Sequence, residues 1–202
     1  MTYEFLTDAE RVQRIGKESK VTYVHKWRTG FFDRYMSGRG LDVGFKGGNQ
    51  NAVPILESAT GVDIDTPGYD GHTLPFESDS FDYVYSSHCL EHVTRPMHTI
   101  KEWHRVVRVG GHIVIVVPHQ YLYEKRLNMP SRFSTQHLRF YTPGSLLVAV
   151  EAALKPNTYR VRFLEDGDRG FDYSIPPEKH SVGQYEVTLV LQKIKAPEWS
   201  IE

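Results

Sequence analysis

The chain has 202 residues, a net charge of −1 at pH 7 and 40% hydrophobic residues, as expected for one globular domain. The near-neutral charge predicts no nucleic-acid partner, and the longest apolar run, residues 113–118, is too short to span a membrane. The first ten residues lack a signal-peptide pattern and Cys89 has no disulfide partner in the chain, so we expect a cytoplasmic location.

Residues 7–37 are predicted to be helical, with Thr7 or Asp8 as the cap. Apolar residues recur among charges and end in an aromatic cluster; they are Val12, Ile15, Val24, Trp27, Phe31, Phe32, Tyr35 and Met36. The segment either packs against the core or forms a lid over a pocket, and we favour packing. We therefore divide the chain into a helical cap at 1–38, a main domain at 39–194 and a tail at 195–202.

A buried strand at 41–45 is predicted to end in a tight glycine turn, because Gly44, Gly47 and Gly48 follow Asp42. A crossover helix is expected at 49–58, made irregular by its proline. A second strand, 59–64, ends near Asp63. Parallel strands joined by helices predict a doubly wound sheet, which binds ligands at the carboxyl ends of its strands.

Later elements follow the same alternation. Strands are predicted at 81–85 and 112–118, and Thr94 can cap a helix between them that ends at Gly110-Gly111. The buried face of this helix is predicted to contain Met97, Ile100, Trp103 or His104, and Val107. An insertion at 119–142 precedes a helix that Thr142-Pro143 is expected to start and that covers 145–154. Strands at 159–164 and 186–194, separated by a loop at 165–184, are expected to form an antiparallel hairpin.

Five motifs occur in order along the chain: G-L-D-V-G-F-K-G-G, D-G-H-T-L-P-F, S-F-D-Y-V, L-E-H-V and R-V-V-R-V-G-G. Together they resemble the class I S-adenosylmethionine (SAM) dependent methyltransferases of the type 11 branch, over residues 39–194. This resemblance implies a Rossmann-like α/β fold, with a mostly parallel seven-stranded sheet and a C-terminal antiparallel hairpin. Only six residues separate Asp63 from Asp70, where relatives place a helix and most of a strand, so this helix is expected to be lost and the sheet has either seven strands or one fewer.

The resemblance implies methyl transfer from SAM, with S-adenosylhomocysteine as the product. We expect a small-molecule acceptor, methylated on a hydroxyl of a sugar, nucleotide sugar or surface-polysaccharide precursor. The alternative is a non-catalytic domain that has lost SAM binding, since Lys46 replaces a glycine of the family pattern. The oligomeric state is not predicted. The implied cofactor-binding residues are Asp42, Val43, Gly44, Phe45, Gly47, Gly48, Asp63, Ile64, Asp70, Gly71, Leu74, Ser86 and Ser87.

A hydroxyl acceptor benefits from a base that takes its proton, and histidine is the side chain suited to this near neutral pH. The candidates are His137, then His88 and His119, although each can instead be structural. The insertion is expected to supply the acceptor pocket. Its residues Tyr121, Arg126, Arg132, Arg139 and Tyr141 suit an anionic, ring-bearing acceptor, or equally a solvated loop.

His88, Glu91 and His92 form an H-x-x-E-H set that would share one face of a helix. The set resembles the E-x-x-E-H metal site of the quinone-biosynthesis and small-RNA 2′-O-methyltransferases, with His88 in place of the first glutamate. However, a glutamate can also support the start of a helix through the helix dipole. We therefore expect no metal and no metal requirement.

Overall fold

The computed structural model describes residues 8–199 and contains one six-stranded sheet in the order β2-β1-β3-β4-β6-β5. In chain order the strands are β1 (Gly40–Val43), β2 (Ala59–Val62), β3 (Phe81–Ser87), β4 (Val107–Pro118), β5 (Tyr159–Gly167) and β6 (Glu186–Lys193). Strands β1 to β4 are parallel, whereas β6 is antiparallel to both β4 and β5. The mostly parallel sheet with its antiparallel hairpin is thus confirmed, with six strands rather than seven.

Five α-helices accompany the sheet in this part of the chain. They are α1 (Asp8–Arg14), α2 (Lys20–Arg28), α3 (Phe31–Tyr35), α4 (Pro96–Val106) and α5 (Pro143–Ala153), and a π-helical turn spans Gln120–Glu124. Every helix within residues 8–199 falls short of the length and hydrophobicity that a membrane crossing requires. The prediction of one helix over 7–37 is wrong, because the chain breaks after Arg14 and again at Gly30, whose φ is 67°. Thr7, one of the two predicted caps, lies outside the described residues.

The two faces of the sheet bury different side chains, because successive residues of a strand point to opposite faces. On one face, Tyr83, Tyr85, Val114 and Val116 pack against the aromatic residues of α2 and α3. On the other face, the alternate residues of β3 and β4 pack against α4 and α5. The packing interpretation of the N-terminal aromatic cluster is therefore confirmed. Trp27, in contrast, is 53% exposed.

The predicted crossover helix at 49–58 does not form, and turns occupy these residues. Pro54 removes a helix donor, and the space is taken by the N-terminal helices. Val53 and Ile55 are buried beside Ile15 of the α1–α2 connection. No helix or strand lies between Val62 and Phe81 either, so the short connection predicted from the Asp63–Asp70 spacing is confirmed.

The predicted end of α4 is also wrong. The helix ends at Val106, and Gly110 and Gly111 lie inside β4. A Cβ on Gly111 would lie 2.4 Å from the carbonyl oxygen of Asp82, so this glycine permits a close approach of two strands. Arg95 rather than Thr94 is the N-cap residue, and the Met97 side chain is 47% exposed rather than buried.

The segment after β4 leads to α5, whose start was predicted correctly. The Thr142 side chain accepts a hydrogen bond from the Ser145 backbone N–H, and the Ser145 hydroxyl oxygen accepts one from the Thr142 backbone N–H, so a capping box fixes the first turn. The 119–142 insertion therefore leaves and re-enters the fold at the carboxyl edge of the parallel strands. This edge is where a doubly wound sheet binds its ligand.

Candidate functional site

A cavity of about 640 Å³ opens at the carboxyl ends of β1, β2 and β3. A second cavity of about 300 Å³ adjoins it and shares Gly44, Asp63, Ile64, Cys89 and His92 with it. Both volumes are within the usual range for small-molecule sites, about 300–1,000 Å³. The larger cavity is also lined by Lys17, Glu18, Gly47, Gly48, His88, Glu91, Tyr123, Phe133, Ser134, Gln136, His137 and His180.

The glycine turn after β1 forms one wall of the larger cavity. Gly44 has a φ of 78°, and a Cβ there would lie 2.7 Å from both Cβ and Sγ of Cys89. Gly47 and Gly48 have φ values of 52° and 80°, and a Cβ on either would enter open space. Only glycine adopts these conformations readily, so the turn presents bare backbone to a ligand.

Asp63 lies beside this turn at the end of β2. Its carboxylate accepts hydrogen bonds from the backbone N–H of Lys46 at 3.0 Å and of Ile64 at 2.8 Å. Lys46 replaces a family glycine without strain, because its φ is not in the left-handed region. Its ammonium contacts Asp65 and Gln50, and it does not line the cavity. The lysine therefore leaves the backbone wall of the turn intact.

Asp42 does not reach the cavity. Its buried carboxylate accepts a hydrogen bond from the backbone N–H of Ile55 at 2.7 Å, and burial raises the pKa of this carboxyl to about 7. Its position holds the irregular 49–58 segment against the sheet. Of the other implied cofactor residues, Val43, Phe45, Leu74 and Ser86 are also buried away from either cavity, and Ser87 lines neither of them.

The smaller cavity lies beyond Asp63 and is lined by Asp70 and Gly71, two of the residues that the resemblance assigns to the cofactor. Asp70 accepts hydrogen bonds from the backbone N–H groups of His72 and Thr73, which hold its pKa below the usual range. These bonds shape the loop that replaces the missing strand. Tyr69, which was not predicted, contributes its ring to the same wall.

Two of the three candidate bases serve the fold. His119 is buried, and its Nδ1 accepts hydrogen bonds from the backbone N–H groups of Tyr121 and Leu122, so it caps the π-helical turn. Its Nε2 lies 3.1 Å from Asp166, and it lines neither cavity. The expectation of a base at His119 is therefore wrong, because both ring nitrogens are engaged in holding the insertion.

His88 lines the larger cavity but is a poor base. Burial and the Lys26 ammonium lower the pKa of its imidazole to about 3. Its Nδ1 lies 3.1 Å from Ser87 Oγ and 3.9 Å from Glu186, whose buried carboxylate accepts a hydrogen bond from Thr22. His88 therefore belongs to a buried polar network that fastens α2 to the end of β6.

His137 is the candidate that faces the cavity with an oriented ring. Its Nδ1 makes a close contact with the buried carboxylate of Glu124, and its Nε2 lies 3.8 Å from Glu91. Glu124 in turn accepts a hydrogen bond from Ser131 at 2.6 Å. The orienting carboxylate comes from the π-helical turn and the histidine from the following loop, so the insertion builds this pair by itself.

None of the five predicted acceptor residues lines the larger cavity. Tyr121 and Arg126 line a separate cavity of about 570 Å³ beside residues 171–177. Arg139 donates to the carbonyl oxygens of Leu90 and Val93, so it fixes the segment that carries Glu91. The other two are Tyr141, which is buried, and Arg132, which is exposed.

The insertion still contributes to the larger cavity, through residues that the sequence analysis missed. Tyr123 and Phe133 form an aromatic cluster with His180 of the β5–β6 loop, with ring centroids 5.2–5.7 Å apart. A chemical signal was present, since aromatic residues are dense in the insertion. Tyr123 and Phe133 are each more than forty residues from His180 in the sequence, so no local sequence pattern indicates that their rings are in contact.

Residues 88–95 are not helical, so His88, Glu91 and His92 do not share a helix face, and Glu91 does not support a helix start. Instead, Glu91, His92 and His137 converge, with one ligand atom from each lying within 4.8 Å of the others. The Glu91 side chain is fully buried, and neither carboxylate oxygen has a hydrogen-bond partner among residues 8–199. Burial raises its pKa to about 8.

Comparisons with known proteins agree with this architecture. Residues 41–115 match the type 11 family model described as a methyltransferase domain. A search of curated protein sequences gave no significant match. A SAM-dependent methyltransferase from Aquifex aeolicus superposes with a TM-score of 0.57 at 12% identity, covering 94% of this chain and 100% of that chain.

Two further solved structures share the fold. A SAM-dependent methyltransferase from Mesorhizobium loti has a TM-score of 0.51 at 16% identity, covering 83% of this chain and 97% of its own. The cyclase SpnF has a TM-score of 0.55 at 17% identity, covering 84% of this chain and 80% of its own. Identities this low show a common fold, and a common fold does not define a reaction.

The residues present fit SAM as the cofactor. The glycine turn leaves a cradle of bare backbone, and Asp63 stands at the next strand end, where a ribose-binding carboxylate is expected. Asp70 and Gly71 line the adjoining space. The matched segment contains all of these residues. Residues 41–115 therefore match a type 11 methyltransferase domain with SAM as its cofactor, and the described chain has the fold of SAM-dependent methyltransferases.

Proposed function

We propose that the protein methylates a hydroxyl group of a small, ring-bearing acceptor, most plausibly a sugar or a nucleotide-sugar precursor. The observation that carries the proposal is the contrast across the larger cavity. One wall is the bare backbone of the glycine turn, and the opposite side carries aromatic rings with a buried imidazole–carboxylate pair. Such a cavity suits two different ligands side by side.

The cofactor half of the site is assigned residue by residue. The backbone of Gly44, Gly47 and Gly48 faces the amino-acid portion of SAM, and Asp63 accepts hydrogen bonds from its ribose hydroxyls. Asp70 and Gly71 border the adenine. When bound, SAM supplies a methyl group already activated by its sulfonium. The protein's task is to hold the acceptor in line and to exclude water.

The acceptor half would bind the ring of the acceptor against Tyr123, Phe133 and His180. Aromatic faces suit sugar and base rings because they bury apolar area at low entropic cost. The acceptor hydroxyl then points to the group of Glu91, His92 and His137, which is able to take its proton. Of the candidate bases, His137 is the one whose ring is held by a carboxylate, Glu124, and whose Nε2 lies 3.8 Å from Glu91.

Calorimetry with SAM and with S-adenosylhomocysteine tests the first half of the proposal. We expect one binding site, weakened by Asp63→Ala and unchanged by Arg132→Ala, which alters an exposed residue outside the cavity. If neither compound binds, the chain is a non-catalytic domain of this fold. The second half is tested by following S-adenosylhomocysteine formation with sugars, nucleotide sugars and amines. Turnover with amines alone would refute hydroxyl transfer.

A further inference from the structure

The group of Glu91, His92 and His137 contains a buried carboxylate that no described donor satisfies. Glu91 Oε1 lies 3.6 Å from His92 Nε2 and 3.8 Å from His137 Nε2, and neither separation is a hydrogen bond. A buried ionised carboxylate without a partner is strongly unfavourable. Either a proton on the Glu91 carboxyl or a metal cation is therefore expected among these three atoms.

The hydrogen bonds on the far side of each ring show which nitrogens carry protons. His92 Nδ1 lies 3.1 Å from the carbonyl oxygen of Gln136, which only accepts, so Nδ1 carries the hydrogen. His137 Nδ1 contacts the Glu124 carboxylate and donates in the same way. In the neutral rings each Nε2 atom then carries a lone pair on the side of Glu91. When the Glu91 carboxyl is ionised, three electron-pair donors thus converge with no proton between them.

A carboxylate and two imidazoles are a preferred ligand set for divalent first-row transition ions. Metal-bound histidines characteristically donate their other N–H to a carboxylate or a backbone carbonyl, as His137 and His92 do here. Bonds of about 2.0–2.2 Å would place neighbouring ligand atoms about 3–3.5 Å apart. Two of the observed separations, 3.6 and 3.8 Å, lie close to that range, and side-chain rotations would have to bring all three atoms, which lie within 4.8 Å of one another, to that geometry.

We propose that Glu91, His92 and His137 bind one divalent transition ion, with Glu124 orienting His137 and the open coordination positions facing the cavity. This assignment departs from the expectation of no metal. It also differs from the H-x-x-E-H set, since His88 is directed at Ser87 and Glu186 and its place is taken by His137, 45 positions beyond His92.

The ion deepens the proposed function, and this step rests on it. An acceptor hydroxyl bound at an open position would lose its proton more easily, because a bound cation lowers the pKa of a coordinated oxygen. His137 would then be a ligand rather than the proton acceptor, since one Nε2 lone pair cannot serve both roles. The proton would leave to solvent or buffer.

The test is titration of chelator-treated protein with Co²⁺ and Mn²⁺. We expect one equivalent to bind, seen as a visible Co²⁺ absorption band and as loss of the free Mn²⁺ signal in electron paramagnetic resonance. Glu91→Gln and His137→Gln should abolish both signals. Glu124→Gln should weaken binding roughly 10–100-fold, the usual effect of removing a group that orients a ligand. His180→Gln removes a histidine from the same cavity and should bind like the wild type.

Circular dichroism and thermal melts without metal establish that each variant is folded. Absence of stoichiometric binding in the wild type would overturn the proposal, and so would equal binding by Glu91→Gln. In either case a proton on the Glu91 carboxyl is what satisfies the group. SAM calorimetry on the same samples separates the outcomes. Protein that binds SAM but no metal ion would refute only the proposed ion site, and protein that binds the metal ion but not SAM would refute only the proposed function.

Discussion

The two ends of the larger cavity are built in different ways. The cofactor end comes from one continuous turn, residues 44–48, whose backbone conformation forms the surface. The acceptor end comes from side chains of three separate segments, represented by Glu91, His137 and His180. A surface formed by the backbone of consecutive residues is recognisable as a sequence motif. A surface formed by side chains from distant segments has almost no sequence signature, so its residues are identified only in the folded structure.

The largest effect predicted from this contrast is on turnover at the acceptor end. His137→Ala should lower kcat by about 10²–10⁴, whether the ring takes the acceptor proton or holds the ion that acidifies the acceptor hydroxyl, and it should leave SAM affinity nearly unchanged. The matched variant is His119→Ala, because that ring caps the π-helical turn and lies outside both cavities. It should lower the free energy of unfolding by roughly 1–3 kcal/mol. Steady-state kinetics and denaturation of both variants decide the assignment, and equal kinetic losses would contradict it.

At the cofactor end the largest effect should come from Gly44→Ala. The new Cβ would be 2.7 Å from Cys89, and the φ of 78° would add strain of order 1–3 kcal/mol. We expect SAM binding to disappear from calorimetry. Gly30→Ala is the control, because Gly30 also has a positive φ, 67°, but open space around it and no place in the site. Loss of SAM binding in both variants would mean that general destabilisation, not the turn, is being measured.

Asp63→Ala should weaken SAM binding by roughly 1–3 kcal/mol, about 5- to 150-fold, through loss of hydrogen bonds to a charged acceptor. Asp70→Ala should have a smaller effect, since the Asp70 side chain is 56% exposed and is held by its own loop. Calorimetry ranks the two variants. A larger loss of SAM affinity for Asp70→Ala than for Asp63→Ala would mean that the main polar contact is on the adenine side and not at the ribose.

The remaining prediction concerns the pH dependence of folding stability and not the site itself. Burial raises the pKa of Asp42 to about 7, so the folded protein holds this proton more tightly than the unfolded chain. The protonated Asp42 carboxyl makes its full contribution to the free energy of unfolding below about pH 4. This contribution is lost as the pH rises towards 7, and the free energy of unfolding then falls by at most about 1.4 kcal/mol per pH unit. Denaturation of the wild type and Asp42→Asn without ligand should show a flatter pH profile for the variant. Parallel profiles would contradict the assignment.

The sequence was sufficient for the fold class and for the glycine turn, whereas six of the residues assigned to the cofactor line neither cavity; they are Asp42, Val43, Phe45, Leu74, Ser86 and Ser87. Strands β1, β3 and β4 are dominated by buried apolar residues, and glycines that require positive φ have to follow β1, so both features are local. Helices were predicted less well. The expected helix at 49–58 is absent because α1–α3 cover that face, and the segment 7–37 is broken into three helices. These outcomes depend on which elements compete for one face of the sheet.

The sequence by itself determined the alternation of elements, the glycine turn and the acidic ends of the strands, because each depends on residues close together in the chain. Only the tertiary structure decided which histidines face the cavity. In the folded chain His119 caps the π-helical turn and His88 belongs to a buried polar network. His137 lies 3.8 Å from Glu91, although 46 positions separate them in the sequence. The physical reason is that hydrogen bonds and burial, which set the role of each imidazole, come from neighbours distant in the chain.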